Sequence, residues 1–122
     1  MYRLLVQVLL AVPALSACQA PRPDLPVGWS FADGRDCGDA GVQFVQFSWT
    51  VSGDQAPRQV LHRCPDGFSG KRAPVGPLPA GAALGAAALT PGGAALYRAG
   101  VTLPRVGPPD VLDLVLTFTG GT

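Results

Sequence analysis

The apolar positions divide the chain into one unbroken run followed by a series of short alternating segments. Residues 4–15 form a nearly continuous apolar stretch behind Met1-Tyr2-Arg3, interrupted by Gln7 and Pro13. Spanning a bilayer takes about 20 apolar residues, so the run is too short for a transmembrane helix and has the length of a signal-peptide core. After a segment rich in proline, Val27, Trp29 and Phe31 alternate with Gly28 and Ser30, which predicts a strand over 27–31. Asp33-Gly34 marks a turn, and the run DGRDCGDAG (33–41) around Cys37 predicts a structured loop. Residues 42–51 (VQFVQFSWTV) carry the strongest strand signal and should lie inside the sheet. Val42 and Phe44 lie on one face there, against Val45, Phe47, Trp49 and Val51 on the other. Either a bulge switches faces near Phe44, or both faces are covered.

The second half continues in the same manner. Ser52-Gly53-Asp54 closes the strong strand, and residues 59–64 return as its hairpin partner, with Val60, His62 and Cys64 on one face and Leu61 and Arg63 on the other. Residues 65–74 read as a loop turning at Pro65-Asp66-Gly67. Over 82–89 (AALGAAAL) a helix competes, because Ala and Leu are strong helix formers. A strand is expected instead: Gly81 and Gly85 weaken a helix, no capping residue precedes it, and Pro91-Gly92-Gly93 supplies a hairpin turn into 94–103. Residues 111–119 form a clean half-buried strand, with Leu112, Leu114, Leu116 and Phe118 inward against Val111, Asp113, Val115 and Thr117. The pattern predicts an all-β domain, a single antiparallel β-sandwich of about seven strands with Ig-like architecture, over residues 27–119 with a short tail at 120–122.

Composition sharpens this picture in a few places. Sixteen Gly and thirteen Pro, clustered without a fixed period, favour short strands and turns over long helices or a collagen repeat. The chain has no Glu and a single Lys, and without Arg3 its eight Arg plus Lys balance eight Asp. A neutral domain has no electrostatic footprint for nucleic acid. No phosphate loop or dinucleotide fingerprint is present, so no cofactor is expected.

Leu15-Ser16-Ala17-Cys18, placed directly after the apolar run, resembles a bacterial lipobox. That resemblance implies that residues 1–17 are a lipoprotein signal peptide, that Cys18 receives a diacylglyceryl group, and that cleavage before Cys18 frees an amino terminus which can take a third acyl chain. An ordinary secretory signal cleaved at the same small residues is the competing reading. Residues 18–26, with Pro21, Pro23 and Pro26, would then be a tether between lipid and domain. Gln19 follows Cys18 where an Asp would favour inner-membrane retention, so the resemblance implies a lipid-anchored protein of the bacterial cell envelope, at the outer membrane in a double-membraned host. Leu78-Pro79-Ala80-Gly81, followed by an alternating apolar strand, is similar to a feature of prealbumin-like and carboxypeptidase-regulatory-like β-sandwiches, which implies a related fold.

With Cys18 lipidated, Cys37 and Cys64 are the two thiols left in an oxidising compartment, and one disulfide between them is the expected arrangement, with two reduced thiols as the alternative. Pairing favours Cys64 inward. Zinc needs three or four Cys or His ligands, and His62 is the only histidine to add. These features predict a non-catalytic binding or structural module whose partners are the membrane and an envelope or extracellular protein or glycan. Two alternatives are a small envelope hydrolase with His62 as base, and a calcium-dependent module using Asp33, Asp36 and Asp39, although Asx turns explain those carboxylates equally well.

Overall fold

The computed structural model describes residues 24–51, 56–107 and 109–120. Seven strands, β1 (Leu25–Phe31), β2 (Phe44–Trp49), β3 (Arg58–Arg63), β4 (Ala73–Val75), β5 (Ala83–Leu89), β6 (Ala95–Thr102) and β7 (Leu112–Phe118), are joined in one sheet. A single helical turn, α1 (Cys37–Ala40), lies between β1 and β2, and a 3-10 turn (Cys64–Gly67) follows β3. Residues 1–17, expected to be a signal peptide, and Cys18 lie outside the described residues. No helix among the described residues is long and apolar enough to cross a membrane.

The all-β class and the strand count agree with the sequence, while the purely antiparallel pairing is corrected. Strand order is β3-β2-β5-β6-β7-β1-β4, and β1 runs parallel to β7, with Val27 opposite Leu112 and Phe31 opposite Leu116. The sheet is therefore mixed. It also curls nearly into a barrel. His62 on the β3 edge bonds the Pro74 carbonyl on the β4 edge at 2.6 Å, and Trp29 makes an isolated bridge to Phe68 in the segment between the 3-10 turn and β4. Curling brings the two exposed edges together, which shields backbone groups that an open sheet would offer to other chains.

The core follows the alternation. Val27, Trp29 and Phe31 of β1, Val45, Phe47 and Trp49 of β2, and Leu114 and Leu116 of β7 are buried. β5 contributes Leu84 and the small Ala86 and Ala88 on the strand next to β2, where large and small residues must share the space inside a tight curl. The strand expected over 82–89 is present and the competing helix is not. Each deviation has a local cause. β2 pairs with β3 and β5 without a register shift, so no bulge turns its faces over. Val42 is buried because Gly41, at φ 72°, reverses the chain after α1 and sets the Val42 amide on the Cys37 carbonyl. β1 begins at Leu25, and Leu25 and Pro26, expected in the tether, pair with Val75 and Pro74. Phe118, expected inward, is 55% exposed: β7 pairs with β6 over only two positions there, and the core ends at Tyr97, against which the Phe118 ring packs edge-on at 5.3 Å.

Gly28 marks where the outer face of the sheet is crossed. Arg72 makes a two-pronged ion pair with Asp113, at 3.1 and 2.8 Å. A Cβ on Gly28 would lie 2.7 Å from the Asp113 carboxylate and 2.8 Å from the Lys71 carbonyl. The missing side chain lets the chain before β4 lie across β1 and reach β7.

Candidate functional site

Chemistry-bearing residues gather at one end of the curled sheet, where the disulfide sits. Asp36 is extended at φ −87° and its carboxylate accepts the Asp39 amide at 2.7 Å, so it caps α1 at its N-terminus. Gly41 in the left-handed region closes that turn. The cap aims Cys37 at Cys64, and the two are joined in a disulfide across a Cα separation of 5.9 Å. Cys64 is buried and faces inward, as expected of the β3 face that carries Val60 and His62. The Trp29 indole N–H donates to the Cys64 carbonyl at 2.9 Å, tying the disulfide to the core.

The three aspartates of the 33–41 loop do not converge. Asp33 accepts the Tyr97 hydroxyl at 2.6 Å and the Arg35 amide at 3.1 Å, the second being an Asx turn, while Asp36 is occupied by its cap. Among the described residues no three His, Cys, Asp or Glu side chains could together hold a metal ion. The Tyr97 hydrogen bond, aided by the Arg35 amide and guanidinium, holds the Asp33 carboxyl below its ordinary value against partial desolvation. Burial first, and the Asp33 carboxylate second, push the Tyr97 phenol up. This pair joins the loop to β6 across 64 positions of sequence, and nothing in either segment's local pattern points to it.

His62 lies at the seam rather than in a reaction centre. A carbonyl can only accept, so the bond to Pro74 places the proton on Nε2. The ring stacks on Trp29 and meets the edge of Phe47, both at 6.2 Å between centroids. No Ser hydroxyl or Asp carboxylate hydrogen-bonds it among the described residues. Nε2 and its proton are committed to closing the curl, so the ring is held by its donor nitrogen and Nδ1 is the nitrogen able to accept.

Two shallow grooves flank the disulfide and share Cys37, Gly38 and Pro65 as a common ridge. The larger, of about 470 Å³, runs along Val42 and Pro91 with Arg63 at its rim. The smaller, of about 350 Å³, is bordered by Phe68, Lys71 and Asp36. Each offers a mostly apolar floor with a cation beside it, on backbone held rigid by the disulfide and two turns. Such a surface can hold a ligand; Ser69 and Lys71 both border the smaller groove, and no hydrogen bond joins that hydroxyl to a base among the described residues. No family model matches the chain, and neither the curated proteins nor the solved structures contain a match to it.

Proposed function

We propose that this chain is a lipid-anchored lipoprotein of the bacterial cell envelope whose β domain acts as a non-catalytic binding or structural module. One observation carries the reading. The chain has three cysteines, and the Cys37–Cys64 disulfide uses two of them, which leaves Cys18, at the end of the lipobox-like Leu15-Ser16-Ala17-Cys18, as the one outside that bond. Two or three acyl chains at about 0.8 kcal/mol per buried methylene hold a protein stably where one chain is marginal.

The domain suits display. The two-position β6–β7 ladder divides the strands into a four-strand half and a three-strand half, whose side chains meet where Trp29 packs on Phe47 at 5.3 Å. That division supports reading the domain as a strongly bent, prealbumin-like sandwich. Its grooved disulfide end is the surface we assign to an envelope or extracellular protein or glycan.

Cys18→Ala tests the anchor. After metabolic labelling with a palmitate analogue and fractionation of the cells, the wild-type chain should carry label and sediment with membranes, and the variant should carry none and be released. Label retained by the variant, or an unlabelled soluble wild type, overturns the reading.

A further inference from the structure

The pairing registers define two ends of the curled sheet. At one, Leu25 lies opposite Val75, Trp49 opposite Leu84, Ala83 opposite Thr102, and Leu112 opposite Val27. At the other, Phe44 lies opposite both Arg63 and Leu89, Tyr97 opposite Phe118, and Phe31 opposite Leu116. The disulfide, α1 and both grooves belong to the second end. The chain enters the sheet at the first, through Leu25.

The ends differ in chemistry as well as position. Around the disulfide, Asp33, Arg35, Asp36, Asp39, Arg63 and Asp66 crowd into two short segments. At the entry end, the connection 76–82 (GPLPAGA) has no charge, and the connection from β6 to β7 presents Val106, 89% exposed, beside Arg105, and Val111, 44% exposed, beside Asp110, with Arg58 opening β3 at the same end. Val106 is the most exposed large apolar side chain among the described residues.

The geometry points to the entry end of the domain, with Val106 and Val111 foremost, as a surface that rests on the lipid bilayer and turns the grooved disulfide end outward. This rests on the anchor at Cys18. Seven residue steps separate Cys18 from Leu25, which span about 25 Å at most. The seven residues of β1 cover about 23 Å. To set the disulfide end against the bilayer, the tether would have to double back along the full height of the sheet and would be stretched to its limit in doing so. With the entry end down no stretching is needed, and the exposed valines meet lipid, with Arg105 able to reach headgroups.

The lipidated protein, reconstituted in vesicles of phosphatidylethanolamine and phosphatidylglycerol, tests this with single tryptophan probes read as difference spectra over Trp29 and Trp49. Val106→Trp and Asp39→Trp alter exposed side chains at opposite ends, and circular dichroism checks that both variants fold. In vesicles, Val106→Trp emission should shift to the blue and be quenched when brominated lipids replace ordinary ones, while Asp39→Trp should do neither. Quenching of Asp39→Trp, or of neither probe, in protein that floats with the vesicles overturns the orientation and leaves the anchor standing. Protein that does not float with the vesicles overturns the anchor, and the orientation with it.

Discussion

Breaking the Cys37–Cys64 disulfide should remove a large share of the domain's stability. The bond closes a loop spanning 27 positions of sequence, for which the chain-entropy account gives about 3.5 kcal/mol. A small domain has in total about 5–15 kcal/mol. For a domain of this size each kcal/mol moves the melting temperature by about 4–8 °C, so the loss should lower it by roughly 14–28 °C. The bond also fixes α1 against the 3-10 turn and holds the Cys64 carbonyl under the Trp29 indole, so loosening should spread from the grooves into the core. The assay is calorimetry on the mature chain carrying Cys18→Ser, comparing oxidised protein, protein in reductant, and the Cys37→Ala/Cys64→Ala variant. Agreement between the last two separates loss of the cross-link from loss of sulfur packing. A melting temperature within about 3 °C of the oxidised protein in both would refute the assignment of stability to this bond.

Two further perturbations probe the packing and the loop. Gly67→Ala would set a Cβ 2.2 Å from the Trp29 ring, so it should cost about 1–3 kcal/mol in chemical denaturation, and an unchanged midpoint would contradict the close approach. The Tyr97–Asp33 pair should make stability pH-dependent at both extremes: Asp33 sits below 3.8 in the folded chain, so its contribution is complete above that value and is lost as pH falls through the lowered one. Tyr97 sits above 10.0, so its contribution is complete below that value and is lost as pH rises through the raised one. Tyr97→Phe should flatten both limbs of the stability profile measured by urea unfolding, and limbs as steep as those of the wild type would rule the pair out as their source.

The strands were legible because most are half-buried and so alternate. Val27-Gly28-Trp29 and Leu112-Asp113-Leu114 announce their inward faces one residue at a time. Their mutual direction is not written in that pattern, since a parallel and an antiparallel neighbour bury the same face, and the expectation of purely antiparallel pairing failed there. β4, three residues long with a proline at its centre, is too short to carry a period. Cys37 and Cys64 could be paired by counting, and His62 could be noticed as the only imidazole. The role of His62 at the seam depends on Pro74 arriving from the opposite edge of the sheet, and the Asp33–Tyr97 bond depends on β6, contacts that exist only once the sheet has curled. The grooves were invisible for the same reason, because their ridge is assembled from α1 and the 3-10 turn.

The anchor is the central claim, and the intact mass of the mature protein tests it most directly. Purified from membranes of its own cells and fragmented from the amino terminus, the chain should begin at Cys18, lack residues 1–17, and carry on that residue the mass of a diacylglyceryl group, with or without a third acyl chain. An unmodified Cys18, or a mature terminus at any other position, would contradict the account.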